Sequence, residues 1–284
     1  MITTMLNPKS VETVHQEIVA LLRTFFQQAG CTDAVLGLSG GIDSALVAAL
    51  AVEALGPEHV TGILMPSQFS TMHSINDAVE LSNNLGIKYH IVPIEKIYTR
   101  YMQELVPTFD WDNRWDNTQE NLQARIRGTI LMAYSNRHGA LVMNTSNKSE
   151  MAMGYGTLYG DLCGALMVLG DLYKVEVYEL SRYINRQREI IPESTLTKAP
   201  SAELRDDQKD SDTLPDYAVL DPILYALHEE GKSPEELIAG GADAELVERI
   251  LRLKKASRFK AHQLPPVLKV SEKPLLDSSK WITL

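Results

Sequence analysis

The chain has 284 residues, of which 44% are hydrophobic, and this length allows one large domain or two small ones. Its formal net charge of −10 at pH 7 argues against a general nucleic-acid-binding protein, and its two cysteines lack the C-x-x-C spacing of a zinc site or redox pair. Because no apolar run reaches transmembrane length and residues 1–8 lack a signal-peptide pattern, we expect a cytoplasmic protein that does not bind membranes.

The first half of the chain alternates between helical and strand patterns. Asn7-Pro8 is suited to starting a helix, which runs to Gly30 with apolar residues at helical spacing. Strands are then predicted at Ala34–Leu38, Val60–Met65, Tyr89–Val92 and Ala140–Asn144. Helices are predicted at Ile42–Leu55, His73–Leu85, Ile94–Leu105 and Thr118–Arg137. This alternation predicts an α/β fold with a doubly wound, mostly parallel sheet and helices on both faces.

After Tyr173 the pattern becomes helical. Helices are predicted at Val175–Gln187, Ala218–Glu230, Pro234–Ala239 and Ala244–Ser257, and Leu264-Pro265-Pro266 is not helical. The long polar segment from Pro192 to Tyr217 is typical of a functional loop. We predict a single domain over residues 1–284, with an α/β core at about 30–190, a mobile loop at about 200–216 and helical additions at 218–260.

The hexapeptide Ser39–Ser44, SGGIDS, joins a predicted strand to a predicted helix. Backbone N–H groups and the helix N-terminus favour phosphate at such a turn, and Gly40 and Gly41 allow a ligand to approach closely. Asp43 would be repelled by polyphosphate unless a cation lies between them, which makes it a candidate Mg²⁺ ligand. No Lys follows the glycines, so the pattern is not Walker A. It resembles the PP-loop of the N-type ATP pyrophosphatases; the alternative is an ordinary strand–turn–helix junction.

A second polar run, Asn144–Glu150, also follows a predicted strand. Glu150 is a candidate second Mg²⁺ carboxylate facing Asp43, although taken alone the run is typical of a helix-capping loop. The carboxyl ends of the strands at Met65-Pro66-Ser67, at SGGIDS and at Asn144 are expected to surround one crevice.

Three further motifs have both a functional and an ordinary interpretation. Met153–Asp161 has three glycines and two tyrosines, which suit a thin loop over a flat ring or simple packing. Arg125 and Arg127 point to different faces of a helix, and either a phosphate fork or surface charges would explain them. Lys174, alone, would be a solvated charge.

Together with Pro200–Arg205, these motifs in this order closely resemble the NAD synthetases, from the first helix to Lys260. The run from Asn144 to Asp161 is the most specific of these motifs. The residues of the motifs are closer to the synthetase module of the glutamine-dependent members than to the short ammonia-dependent members. The resemblance implies an adenine nucleotide alpha hydrolase-like, Rossmann-like fold. It also implies ATP-dependent amidation of deamido-NAD to NAD by ammonia, through an adenylated intermediate, with Mg²⁺ and a homodimer.

The resemblance further implies site residues at matching positions. ATP phosphates would be held by Gly37, Ser39, Gly40, Gly41, Asp43 and Ser44, Mg²⁺ by Asp43 and Glu150, and ATP or pyrophosphate by Thr145, Lys174 and Ser201. Met65 and Ser67 would lie near the adenosine. Deamido-NAD would contact Asn121, Arg125, Tyr155, Gly156, Thr157, Leu158, Asp161 and Lys260. The catalytic set would be Asp43, Glu150 and Lys174, with Asp161 orienting or deprotonating ammonium or binding the ring.

The chain departs from this family at several points. Ser201 stands where the family often has Thr, Leu158 stands where short members carry Lys, and the residues after Lys260 are less basic. A glutaminase domain does not fit in this length, so a separate glutaminase domain or subunit would have to supply ammonia from glutamine. The alternatives are another PP-loop enzyme, such as a GMP synthetase or a tRNA-thiolating enzyme, and a non-catalytic ATP-binding module. The missing C-x-x-C pairs and the acidic charge count against thiolation.

Overall fold

The computed structural model describes residues 6–112 and 114–284 of the chain. Residues 1–5, on which part of the signal-peptide prediction rests, lie outside the described residues. The helices are α1 (Val11–Ala29), α2 (Ile42–Leu55), α3 (Met72–Leu85), α4 (Glu95–Thr108), α5 (Asn117–His138), α6 (Lys148–Met153), α7 (Lys174–Ile184), α8 (Glu193–Thr197), α9 (Tyr217–His228), α10 (Pro234–Ala239) and α11 (Ala244–Ser257). Within the described ranges, no helix is long and apolar enough to cross a membrane.

The strands form one sheet of seven, in the order β3-β2-β1-β4-β5-β6-β7. They are β1 (Ala34–Gly37), β2 (Val60–Leu64), β3 (Lys88–Ile91), β4 (Leu141–Asn144), β5 (Leu166–Met167), β6 (Val267–Leu268) and β7 (Trp281–Ile282). Every neighbouring pair is parallel, and β1 pairs with β4 through Ala34 opposite Leu141. The strand order reverses between β1 and β4, which is the position where ligands bind in sheets of this kind.

Helices cover both faces of the sheet. Ala34 and Leu36 of β1 point into a core that includes α1, α2 and α7, whereas Val35 between them points into a second core with α4 and α5. Because successive strand residues face opposite sides, one apolar run supplies both cores. The predicted doubly wound α/β fold is therefore confirmed.

The predicted helices and the four predicted strands are present with ends shifted by a few residues. The sequence patterns did not predict β5, β6, β7, α6 or α8. The three additional strands have two residues each, which is too short for a periodic signal. The segment Leu264-Pro265-Pro266 is non-helical, as predicted, and it leads into β6.

The C-terminal helices build a further apolar cluster beside the sheet. Leu220 and Leu224 of α9 and Ile250 of α11 pack in it with Met153 of α6 and with Tyr173, which precedes α7. Since α6 and α7 both begin at the carboxyl edge of the sheet, this cluster supports the helices whose first turns carry the candidate site residues.

Candidate functional site

The turn between β1 and α2 is held by its own hydroxyl groups. Ser39 Oγ accepts a hydrogen bond from Gly41 N over 3.1 Å and lies 3.2 Å from Ser44 Oγ, which donates to Gly41 O over 3.0 Å. Gly40 has φ +77°, and a Cβ there would lie 2.1 Å from Ser74 O. Only glycine fits this close approach of two backbone segments. The turn therefore has the compact backbone that a phosphate loop requires.

Two carboxylates and one ammonium group meet beside this turn. Asp43 accepts hydrogen bonds from Asn147 Nδ2 at 2.9 Å and from Lys174 Nζ. Lys174 Nζ also lies 3.6 Å from Glu150 Oε1. These groups stand in the first turns of α2, α6 and α7, so the structure brings together three of the four residues that the resemblance nominated as catalytic; the fourth, Asp161, lines the same small cavity.

Burial governs the electrostatics of this centre. It raises the pKa of Glu150 to about 8, and the negative charge of Asp43 adds to the effect while Lys174 opposes it. Burial alone would lower the pKa of Lys174, but the Asp43 and Glu150 carboxylates outweigh it and raise that pKa above its usual value. The lysine is therefore held as a cation.

Glu150 has the helix-capping role that the sequence suggested, and its second carboxylate oxygen faces the centre. Its Oε2 accepts from Asn147 N over 3.2 Å, and its backbone N donates to Asn147 Oδ1 over 3.0 Å, which is a capping box at the start of α6. The other oxygen, Oε1, faces Lys174. Capping therefore fixes the direction in which the carboxylate points.

Another carboxylate of this site, Asp210, was missed by the sequence interpretation. It is buried, accepts hydrogen bonds from Tyr155 Oη at 3.3 Å and from Tyr217 Oη at 3.1 Å, and lines the same small cavity as Asp43. Burial raises its pKa, and the charge of Lys174 opposes the shift. Asp210 lies in a polar segment with several other aspartates, so no local pattern distinguished it.

The site opens into two neighbouring cavities of about 690 Å³ and about 140 Å³. The larger one has a size typical of ligand pockets. Its wall contains the predicted residues Gly37, Ser39, Met65, Asn121, Thr145, Tyr155, Gly156, Thr157, Asp161, Ser201 and Lys260. The smaller cavity is lined by the predicted residues Ser39, Gly41, Asp43, Glu150, Tyr155, Asp161, Lys174 and Ser201.

The glycine-rich loop forms a rigid wall of the larger cavity. Lys260 Nζ donates to Gly154 O at 2.8 Å and to Gly156 O at 2.6 Å. Thr157 donates from its backbone N to Asp161 Oδ1 at 2.8 Å and from Oγ1 to Asn121 Oδ1 at 2.6 Å. The Asp161 carboxylate is open to the cavity, yet the surrounding protein withdraws it from bulk water and raises its pKa.

Five predicted residues lie behind or beside the walls of these two cavities: Gly40, Ser44, Ser67, Arg125 and Leu158. Gly40 and Ser44 shape the Ser39–Ser44 turn, and Ser67 Oγ accepts from Phe69 N at 3.2 Å. Arg125 is exposed and donates from Nε to Leu158 O at 3.2 Å. Of Arg125 and Arg127, it is Arg127 that reaches the larger cavity.

The predicted mobile loop is folded onto the site. Lys198 Nζ donates to Gly40 O at 3.0 Å and to Ser74 Oγ at 2.8 Å. Glu203 accepts from Ser74 Oγ at 2.5 Å, while Gln123 on α5 donates to Leu204 O at 2.9 Å. The segment from Lys198 to Arg205 thus bridges α3 and α5 and contributes a wall to both cavities.

Comparison with known proteins gives a consistent family. The NAD synthase family profile matches residues 14–265. The glutamine-dependent NAD(+) synthetase of Synechocystis sp. is 50% identical over 262 residues, covering 92% of this chain and 47% of that protein. The corresponding enzyme of Acinetobacter baylyi is 46% identical, covering 89% of this chain and 47% of its own length. The chain therefore spans about half the length of the curated relatives it matches.

Solved structures agree with this. An NMN synthetase from Francisella tularensis superposes with a TM-score of 0.76 at 31% identity, covering 89% of this chain and 96% of that one. An NH3-dependent NAD synthetase from Campylobacter jejuni gives 0.73 at 31% identity, covering 92% of this chain and 100% of its own. A glutamine-dependent NAD+ synthetase from Acinetobacter baumannii, solved with ADP, gives 0.66 at 40% identity, covering 93% of this chain and 48% of its own.

Proposed function

Because this chain belongs to the NAD synthase family, we propose that it catalyses the ATP-dependent amidation of deamido-NAD to NAD with ammonia. The observation that carries the proposal is the meeting of Asp43, Glu150 and Lys174 beside the Ser39–Ser44 turn, next to a cavity of about 690 Å³. Membership of the family removes the GMP synthetase and tRNA-thiolating alternatives. The remaining alternative, a non-catalytic ATP-binding module, is distinguished from an enzyme by the assay described below.

The proposed reaction has two steps. A carboxylate oxygen of the nicotinate ring attacks the α-phosphorus of ATP, the bond to the oxygen that bridges to the β-phosphorus breaks, and pyrophosphate leaves with that bonding pair. The nitrogen of ammonia then attacks the activated carbonyl carbon, a proton leaves the nitrogen, and AMP departs with the former carboxylate oxygen. The first step makes a good leaving group, and its catalysis requires positioning and charge neutralisation.

The chain's own groups suit these tasks. The N–H groups of the Ser39–Ser44 turn and the first turn of α2 would bind the phosphates of ATP. Lys174, held as a cation by Asp43 and Glu150, would place a positive charge at the departing pyrophosphate. Asp161, which faces the larger cavity, would orient ammonia or accept its proton.

The donor set at the centre fits Mg²⁺. This ion prefers oxygen ligands and is usually bound by one or two carboxylates together with substrate phosphates. Asp43 and Glu150 are the residues that would hold it, and within the described ranges no cluster of three or more His, Cys, Asp or Glu side chains forms a complete metal cage. Bound there, Mg²⁺ would supply charge neutralisation for the phosphates. The raised pKa of Glu150 supports this assignment, because a nearby cation is what would return that carboxyl to its charged form.

We propose ammonia as the nitrogen donor because neither cysteine resembles an amidase nucleophile. Cys31 Sγ donates to Gly139 O at 3.1 Å. Burial raises the pKa of Cys163, whereas a nucleophilic cysteine requires a lowered one. Use of glutamine would therefore need a glutaminase domain or subunit outside these residues.

A homodimer in the cytoplasm is also part of the proposal. Ile97 and Tyr101 on α4 and Met132 on α5 are exposed apolar side chains that an interface between two copies would cover. Light scattering on the purified chain should give twice the mass of 31.6 kDa.

The function is tested with the purified chain, ATP, MgCl₂, deamido-NAD and ammonium chloride, by chromatography of all nucleotides. We expect NAD and AMP in equal amounts and no ADP. A second assay replaces deamido-NAD with nicotinate mononucleotide, because the Francisella relative is an NMN synthetase. If the chain forms NMN but no NAD, its substrate is nicotinate mononucleotide and not deamido-NAD. Absence of any AMP with ATP still bound would indicate a non-catalytic module.

The nitrogen donor is tested in the same assay. Ammonia-free glutamine should give no NAD, and the Cys31→Ser and Cys163→Ser variants should keep the ammonium-dependent rate. Glutamine turnover that disappears in either variant would mean that a catalytic cysteine had been overlooked.

A further inference from the structure

Arg125 and Arg127, two of the three arginines on α5, have different surroundings. Arg125 is exposed, and its Nε donates to Leu158 O. Arg127, two residues later, turns toward the larger cavity, and its Nε donates to Met65 O at 3.0 Å. Met65 directly follows β2, so this hydrogen bond holds the guanidinium at the carboxyl edge of the sheet.

Most of the hydrogen-bonding capacity of Arg127 is unused. A guanidinium has five N–H donors in a planar fork, and here only the Nε donor has a protein acceptor. Among residues 6–112 and 114–284, no acceptor serves its terminal nitrogens and no carboxylate lies within ion-pair distance of it. Burial lowers its pKa to about 10, although the charges of Asp161 and Glu203 oppose the shift. The cavity wall therefore holds a half-buried cation with a free two-pronged face.

Arg127 lies close to the Ser39–Ser44 turn. Met65 packs against Gly37, where an added Cβ would lie 3.2 Å from Met65 Cε. Gly37 is the last residue of β1 and immediately precedes the turn through Leu38. Arg127 is therefore next to the entrance of the phosphate-binding turn.

The residue beside Arg127 contacts the opposite wall. A Cβ at Gly128 would lie 3.0 Å from both Gly160 O and Tyr159 O, so α5 packs closely on the glycine-rich loop. Arg127 thus stands where the nucleotide side of the cavity, at Gly37 and Met65, adjoins the side formed by Asn121, Thr157 and Asp161.

We propose that the Arg127 guanidinium binds the α-phosphate of ATP and stabilises the negative charge that this phosphate gains when the substrate carboxylate attacks it. This inference rests on the proposed function and names a substrate-contacting residue for it. Lys174 and the Ser39–Ser44 turn serve the far end of the triphosphate, where pyrophosphate departs. Arg127 lines the larger cavity, where the α-phosphorus would have to meet the substrate carboxylate. A planar fork matches two phosphate oxygens at once.

The test compares Arg127→Met and Arg127→Lys with the wild type, and Arg137→Met serves as the matched control because Arg137 is exposed near the end of the same helix. Calorimetry gives the dissociation constants of α,β-methylene-ATP and of deamido-NAD, and steady-state assays give kcat and KM. We expect Arg127→Met to lower kcat/KM for ATP by about 10²–10³-fold and to weaken analogue binding about tenfold. Arg127→Lys should recover part of the loss, since it keeps a charge without the fork. The dissociation constant of deamido-NAD should stay within about twofold, as should all parameters of Arg137→Met.

Unchanged ATP parameters in Arg127→Met would overturn the inference, as would a loss that falls on deamido-NAD binding alone. Circular dichroism establishes folding, and Arg127→Lys carries the test if the Met variant does not fold. If the wild type binds the ATP analogue but forms no NAD, the proposed function fails, whereas the binding comparison still decides whether Arg127 holds a phosphate.

Discussion

Asn147 Nδ2 donates a hydrogen bond of 2.9 Å to Asp43 Oδ1, which joins the start of α6 to the start of α2. The same side chain caps α6 through its Oδ1, and Glu150 completes that cap. One asparagine therefore contacts both carboxylates of the proposed Mg²⁺ site and orients them relative to each other. The geometry is determined by helix capping before any ligand arrives.

The first prediction concerns these carboxylates. Asp43→Asn and Glu150→Gln should each lower the rate of pyrophosphate release by about 10²–10³-fold, because each removes a charged oxygen ligand that neutralises polyphosphate. The rate is measured with a coupled pyrophosphate assay. Glu235→Gln, at an exposed position in α10, is the matched control and should match the wild type. Release near the wild-type rate in either site variant would refute the metal assignment.

The second prediction concerns the close approach at Gly40. Gly40→Ala should weaken ATP binding at least about tenfold, because a Cβ there would collide with Ser74 O, whereas Gly30→Ala meets no atom within 4 Å. Both glycines have positive φ, at +77° and +63°, so both variants share a strain of about 1–2 kcal/mol. Calorimetric titration of both variants with ATP therefore distinguishes the effect of the collision, which only Gly40→Ala has, from that of the backbone strain. Equal ATP affinities in the two variants would contradict the prediction, because they would mean that the turn makes room for the Cβ without losing ATP binding.

The third prediction concerns the Lys198–Arg205 segment. Limited proteolysis should cut residues 200–216 slowly when ATP and Mg²⁺ are present and faster without them, because ligands at the cavity add contacts to this wall. Glu203→Gln should increase cleavage there, since the carboxylate accepts from Ser74 Oγ and from Thr71 N. Cleavage at the exposed turn around Gly231, which lines neither cavity, provides the internal reference. Identical cleavage of residues 200–216 in all conditions would argue against a ligand-dependent lid.

The fourth prediction is a pH dependence of stability. Burial raises the pKa of Glu176 from 4.5 to about 7, while hydrogen bonds from Tyr173 N and Asn7 N oppose the shift. The folded state therefore binds this proton more tightly than the unfolded state does. The resulting stabilisation is complete below pH 4.5 and is lost as pH rises through about 7, an effect of about 3 kcal/mol.

Urea unfolding between pH 4 and pH 8 measures this effect. Glu176→Gln keeps the size of the side chain and cannot ionise, so its free energy of unfolding should rise relative to that of the wild type as pH increases. Parallel curves for the two proteins would show that Glu176 titrates normally. The expected gap is largest above pH 7.

The sequence predicted most of what rests on local patterns. Alternating apolar runs indicated the parallel sheet and its helices, because strand and helix periods are local properties of the chain. The position of the crevice followed as well, since polar turns after parallel strands must share one edge. The motifs nominated Asp43 and Glu150, the family resemblance added Lys174, and the structure brings these three side chains together.

Other features depended on contacts between distant segments. Asp210 enters the site only because its segment folds back onto Tyr155 and Tyr217, and one aspartate among several in a polar stretch carries no local signal of that. The two-residue strands β5 to β7 are defined by their pairing with neighbouring strands. They are too short to show a periodic pattern in the sequence.

Arg125 and Arg127 show the same limit on a single helix. Two positions two apart on a helix differ by about 200° in direction, so the sequence establishes that Arg125 and Arg127 face different surroundings. Which of them faces the cavity depends on how α5 is rotated against β1 and β4, and that rotation is decided by side-chain packing across the whole sheet face. The helix itself is a consequence of local pattern, whereas the environment of each of its charges is a consequence of tertiary packing.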